Sequence, residues 1–307
     1  MKTIKFDITS ETMLEDVISL LDYTVEKKKL IIKYNCDFIK GEIFALINSY
    51  IKYLKSESVD FELDFGDSLD CEVTDYLARI NFFKNLDIEY IEKFTRADLD
   101  SLIEITEFTS LNVHNVATRL GYLLKQNLKL DDRILTCIDY CLGEILGNVE
   151  MHSNSKSGGV IFAQTFKKKK YIKLIIIDNG EGFFKSFEGD ELANNITKEE
   201  LLQKSLDEGF KSSKSEGRGY GLFHVKEFIS KSNGIFYINT CGSVLFSKDS
   251  GFSVKKCSHW QGSIIALKIN TEIEIDPEKV FTSEGNYYVT LPFEERIENY
   301  LDEQLWE

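Results

Sequence analysis

The stretch EILGNVEMHS, residues 144–153, sets Glu144, Asn148 and His152 at i, i+4 and i+8. On a helix these three share one row, beside an apolar face formed by Ile134, Ile138, Leu142, Ile145 and Val149. A row of this kind is either solvated or turned toward a ligand. A carboxylate one turn from an amide can deprotonate or orient an attacking water or hydroxyl, while the amide oxygen holds Mg²⁺. Two glycine-rich stretches follow. In LIIIDNGEGF the apolar run 174–177 leads straight into Asp178, Gly180 and Gly182. An Asp at a strand end can offer a carboxylate to an exocyclic amine such as that of adenine, and the glycines let backbone approach without a Cβ. In SEGRGYGLFHVKEFI, Gly217, Gly219 and Gly221 open a helix. Several N–H groups and a helix N-terminus then converge on one point suited to phosphate oxygens, with Lys214 and Arg218 adding charge. Alone each signal is weak, since glycine turns are common in loops. Neither a GxxxxGK[ST] loop nor a dinucleotide-binding glycine fingerprint is present.

These residues must be positioned by elements the sequence also encodes. The first ninety or so residues alternate strand and helix patterns. KTIKFDI, KLIIKYN and VDFELDF read as strands; ETMLEDVISLLDYTVEKK, KGEIFALINSYIKYL and EVTDYLARINFF read as helices. Such alternation predicts a layered α/β unit over residues 1–95. A charged stretch from Ile91 to Asp100 links it to a second α/β region over 100–270. There, helices over Leu102–Asn127 and Asp131–Ser153 are followed by strands and Gly-rich turns. KKKK at 167–170 reads as a hairpin turn with solvated lysines.

Composition bounds the function classes. The 307 residues carry 43% hydrophobic and 12% aromatic side chains, enough for packed cores in about two domains. No window has the apolar length of a signal peptide core or a membrane span, so the expectation is a cytoplasmic protein without a membrane role. Lys and Arg number 37 against 51 Asp and Glu, a formal net charge of −14 that argues against nucleic acid as a partner. Much of the excess lies in 271–307, where eleven acids face Lys279 and Arg296. That extension reads either as a solvated cap or as a docking segment for a basic partner. It also contains the strand-like NYYVTLPF and the helically spaced Ile297, Leu301 and Leu305. Six cysteines without a CxxC pair suggest neither disulfide framework nor zinc, and Cys137 and Cys141 read as core residues one helical turn apart.

Together, EILGN (144–148), DNGEG (178–182) and GRGYGL (217–222) resemble the N, G1 and G2 boxes of the GHKL ATPases, the histidine-kinase-like fold of sensor kinases, gyrase and anti-sigma-factor serine kinases. The resemblance spans about 102–270. It implies a mixed sheet backed by helices, and ATP and Mg²⁺ as ligands. In it Glu144 is the general base, Asn148 the metal ligand and Asp178 the adenine acceptor. Gly180 and Gly182 shape that pocket. Lys214, Gly217, Arg218, Gly219, Tyr220, Gly221 and Leu222 surround the phosphates. His152 and Ser153 echo the "HS" ending of the anti-sigma and stand-alone branch and are expected to be structural. The long polar segment from Phe183 to Glu216 corresponds to a mobile ATP lid, and GSIIALKI to the family's last strand.

The first ninety-five residues resemble a STAS-type domain more weakly. STAS antagonists of anti-sigma factors carry a phosphorylatable Ser or Thr before a helix-opening Gly. Here Lys40 precedes Gly41, which implies a sensor or interaction platform, with Ser68 a poor substitute acceptor. His114 lies only thirty residues before Glu144, too close for the dimerisation hairpin of a phosphoacceptor His. The C-terminal 37 residues are too short for a gyrase-type transducer domain. The expected function is therefore an ATPase switch whose lid closure is read by a regulatory protein partner. A Ser/Thr protein kinase of the anti-sigma type and a non-catalytic nucleotide-binding module are the alternatives, and a homodimer is left open.

Overall fold

The computed structural model describes residues 1–34, 38–93, 102–109, 112–128, 132–152, 154–214, 219–248, 251–273 and 275–281. In the first ninety residues, short apolar strands alternate with helices: β1 (Lys2–Ile8), α1 (Leu14–Ile18), β2 (Lys28–Tyr34), α2 (Gly41–Ser56), β3 (Phe61–Asp64) and α3 (Glu72–Arg79). The strands form a parallel sheet in the order β1-β2-β3, with Ile4 opposite Leu30 and Phe6 opposite Ile32. Parallel neighbours require crossover connections, and the helical segments supply them.

The remaining elements are β4 (Leu102–Phe108), α4 (Val113–Leu128), α5 (Asp132–His152), β5 (Gly159–Phe166), β6 (Tyr171–Asp178), α6 (Lys198–Lys204), α7 (Gly221–Lys231), β7 (Ile235–Thr240), β8 (Ser243–Lys248), β9 (Gly251–Lys256) and β10 (Ser263–Asn270). Their strands make one seven-stranded sheet in the order β4-β5-β6-β10-β7-β8-β9 in which every described pair is antiparallel, not the mixed sheet expected, with hairpins joining β5 to β6, β7 to β8 and β8 to β9. β10 follows all the others in the chain but lies at the centre of the sheet, between β6 and β7.

Both faces of this sheet are covered. Ile172, Leu174 and Ile176 of β6 join Ile265, Leu267 and Ile269 of β10 in a core beneath α4, α5 and α7. The alternate residues Ile175, Ile177 and Ile264, with Val160 and Phe162 of β5, face the other way into a core shared with β1–β3 and α2. A strand buried on both faces has no polar alternation, which is why 174–177 reads as an unbroken apolar run. Helix α2 is the middle layer, and eleven of its sixteen residues are buried, more than one apolar stripe would give. Its Phe44 ring meets Tyr34 of β2 edge-on at 5.8 Å, and its Glu42 pairs with Lys173 of β6 at 2.8 Å. The order of layers is small sheet, α2, large sheet, helices. The N-terminal residues are thus packed against the large sheet.

The fold is mixed α/β, and several element boundaries differ from the sequence expectation. Residues 102–108 form a strand, not the start of a helix. A register shift between Ile103 and Thr106 breaks its alternation, so Leu102 and Ile105 face one core while Ile103 and Phe108 face the other. The expected first helix keeps only Leu14–Ile18. Beyond it the chain turns so that Asp22 can reach Lys28, whose side chain is fully buried, and the pair lies 2.8 Å apart. The segment after Phe183 is also packed more than a mobile lid requires: Phe184, Phe187, Leu201, Leu202 and Leu206 are buried. α6 within it carries a Thr197–Glu200 capping box and bonds β8 through Glu199 and Ser243 at 2.9 Å. As expected, 167–170 is the exposed turn of the β5–β6 hairpin. The strand-like and helical patterns of the acidic extension lie outside the described residues. Among the described residues no helix is long and apolar enough to cross a membrane.

Candidate functional site

One end of the large sheet carries a polar row on the face turned toward α5 and α7. In register, Asp178 of β6 stands opposite Ser263 of β10, and Ser263 opposite Thr240 of β7. Each has the parity of the residues in the helix-side core, so all three project to that side. Asp178 is 3% exposed. Its Oδ1 accepts from the Gly180 N–H at 2.8 Å, and the Ser263 N–H and hydroxyl also bind the carboxylate. Burial nevertheless dominates and pushes its pKa up to about 6. The main-chain carbonyl of Asp178 accepts from the indole N–H of fully buried Trp260 at 2.8 Å, and a Cβ on Gly262 would lie 2.4 Å from Oδ1. Thr240 Oγ1 accepts from the Phe183 N–H at 3.0 Å and donates to the Gly262 carbonyl at 3.0 Å. Gly182 adopts φ +73°, and a Cβ there would lie 2.3 Å from Cys241 Sγ. The DNGEG turn is therefore clamped from below by β7 and by the Trp260–Ser263 approach to β10.

Asn179 faces the opposite layer. Its Nδ2 donates to the carbonyl and hydroxyl oxygens of Ser49 on α2, at 3.0 and 2.9 Å. Two consecutive residues thus serve the two sides of the sheet.

Helix α5 lies on the sheet through Ile134, Ile138, Leu142, Ile145 and Val149, all buried. This orientation leaves Glu144 and Asn148 half-buried. Glu144 lies against the start of α7, because a Cβ on Gly221 would come within 2.3 Å of its Oε2. The N-cap residue Tyr220 makes no side-chain capping bond to α7. Burial raises the Glu144 pKa above its ordinary value, and a hydrogen bond from Tyr140 opposes the rise. The Tyr140 hydroxyl also lies 2.7 Å from Nδ1 of His224 on α7, whose side chain is fully buried. Gly219, at φ +78°, packs on the Gly209–Phe210 backbone, where a Cβ would approach within 2.7 Å. The glycine turn therefore touches the segment that follows DNGEG.

The structure thus brings Glu144 to Gly221 and Gly180 to Asp178. Tyr220 stacks on the His224 ring at 5.7 Å, and Leu222 packs on the helix-side core. Lys214 is exposed, with its ammonium on the Glu188 carbonyl and 3.7 Å from a Cβ position on Gly189. It is tied to the turn after Phe187. Gly217, Arg218 and Ser153 lie outside the described residues, as do the side chains of His114 and His152. Ser68 accepts from the Tyr34 N–H, and Lys40 donates to the Thr12 carbonyl, so both serve local structure. Cys137 and Cys141 are core residues. Thr240, Ser263, Trp260, Tyr140 and His224 carry no motif. Only the strand pairing reveals the first two, and only the α5–α7 packing reveals the last two. Among the described residues no group of three or more His, Cys, Asp or Glu is arranged to hold a metal ion.

No known family model matches the chain, and no curated protein matches it.

Proposed function

We propose that the chain is a Mg²⁺-dependent ATP-binding regulatory protein with a GHKL-type nucleotide site, whose STAS-like N-terminal layer is the part a partner protein reads. The observation that supports this best is the meeting of Glu144 with Gly221 at the start of α7, where the N-cap residue Tyr220 makes no capping bond. It sets a carboxylate beside backbone N–H groups suited to phosphate oxygens. Asp178 sits at the sheet end on the same face and would accept the adenine amine, with Ser263 and Thr240 beside it. Glycine at 262 and 182 keeps that floor clear of Cβ atoms. Asn148, a neutral amide oxygen one turn from Glu144, suits a Mg²⁺ ion whose other ligands are phosphate oxygens and water. Such an ion would neutralise charge on the phosphates. Glu144 would orient the attacking oxygen and take its proton. The Asn179–Ser49 bonds favour a switch over an isolated enzyme, since they tie the residue beside Asp178 to α2.

Calorimetry with Mg²⁺-ATP on the wild type, Asp178→Asn and Glu144→Ala tests the reading. Asp178→Asn should abolish binding, because an acceptor becomes half donor; unchanged affinity would defeat the adenine assignment. Glu144→Ala should bind normally and turn over about 10² to 10⁴ times more slowly. Equal rates would remove Glu144 from the mechanism. Phosphate release by the chain alone makes water the acceptor; binding without release by the wild type would favour the kinase alternative.

A further inference from the structure

Helices α5 and α7 meet at two successive levels. At one, the Glu144 carboxylate abuts Gly221; one turn back on α5 and one turn onward on α7, Tyr140 meets His224 at 2.7 Å. The Tyr140 hydroxyl also hydrogen-bonds Glu144. A phenol has one proton; given to the ionised Glu144 carboxylate, which can only accept, it leaves the imidazole to supply the other bond. His224 is fully buried, stacked on Tyr220 and edge-on to Phe281 at 5.4 Å. Its ring therefore has little freedom to turn away.

Building on the nucleotide-site reading above, we infer that Tyr140 and His224 are positioning residues for Glu144. His224 Nδ1–H donates to the Tyr140 oxygen, and the Tyr140 O–H donates to the Glu144 carboxylate, holding it toward the start of α7. Burial keeps the imidazole neutral by lowering its pKa to about 4, so one ring nitrogen carries a proton at neutral pH. In the inferred chain of bonds that nitrogen is Nδ1. A glutamate with three side-chain torsions would otherwise sample several directions, and a general base misaimed by about 1 Å loses on the order of 10²-fold in rate.

The first test needs no nucleotide. Long-range ¹H–¹⁵N correlation on histidine-labelled wild-type protein at pH 7, with His224 assigned through His224→Gln, should find the Nδ1–H tautomer. An Nε2–H tautomer would make Tyr140 the donor to the ring and overturn the inference. The second test is kinetic. Tyr140→Phe should leave ATP affinity within about twofold and lower kcat by about 10- to 100-fold. It should add nothing in the Glu144→Ala background. Wild-type kcat in Tyr140→Phe, or a further loss in the double variant, would overturn the role. Failure of the wild type to bind ATP would instead defeat the nucleotide-site reading, and the tautomer would still decide the hydrogen-bond chain.

Discussion

Asp178 gives the most quantitative prediction. Its carboxyl is buried at the end of β6, and burial outweighs the bonds from Gly180 and Ser263, moving its pKa from 3.8 to about 6. The folded state therefore binds more protons than the unfolded state between these values. Stability must fall as pH rises through that window. At roughly 1.4 kcal/mol per pH unit, the gap corresponds to about 3 kcal/mol, fully present below 3.8 and gone above about 6. Asp178→Asn cannot titrate, so its stability lacks this component whatever constant offset the new amide brings. Urea unfolding of both proteins from pH 3.5 to 7.5, followed by circular dichroism, isolates it. The difference between the two curves should change by about 3 kcal/mol across the window and be flat on either side. Parallel curves would refute the claim that the carboxylate is buried against its own ionisation. If adenine binds there, saturating ATP should shift the window to lower pH, since an exocyclic amine stabilises the ionised acceptor.

Three further outcomes follow from named contacts. Gly221→Ala places a Cβ 2.3 Å from Glu144 Oε2, the end of a flexible side chain that can turn aside, so the melting temperature should hold while the proposed ATP turnover falls about tenfold or more; normal turnover would mean that Glu144 does not act from this position. Lys28→Ala leaves Asp22 with a lost buried partner and should cost about 3 to 5 kcal/mol by chemical denaturation. Asp22 is held below the usual carboxylate range against its own burial by bonds from Lys2, Lys28 and Thr24, so the wild-type advantage should be full above pH 3.8 and shrink as pH falls below it; a cost independent of pH would contradict the pairing. Removing residues 1–95 uncovers Phe162, Ile175, Ile177 and Ile264, so the remaining fragment should bind a hydrophobic dye or aggregate. A monomeric fragment without dye binding would show that α2 is a dispensable cover.

The legible parts of the sequence were those governed by local periodicity. The α5 apolar face, the β6 run into Asp178 and the opening of α7 all follow from spacing within one element. Residues 102–108 were not legible, because a bulge turns a two-residue repeat into apolar positions 102, 103, 105 and 108 that fit a helix equally well. Helix α1 ends early for a tertiary reason, the demand of buried Lys28 for Asp22. The segment after Phe183 looks polar in sequence, yet its apolar side chains other than the exposed Leu192 turn to one core. The candidate site was readable only as three separate stretches of sequence. Its closing residues, Ser263 and Thr240, depend on register between strands distant in sequence, and Tyr140 and His224 depend on how two helices cross.

The neighbours Asp178 and Asn179, facing opposite layers, also bear on how the chain is made. Ser49 waits for a partner 130 positions away, and Tyr23 accepts from the Gln261 N–H across 238 positions. At ~5–20 residues per second, a ribosome needs on the order of ten to fifty seconds to supply the second of these contacts. Helix α2 has one face on the small sheet from the start, and the strands that lie on its other face, β5 and β6, are complete only at Asp178. The sheet they belong to stays open longer still, because β10, the last described strand, must insert between β6 and β7. Such high contact order predicts slow folding and places the greatest aggregation hazard in the nascent chain before β10 inserts.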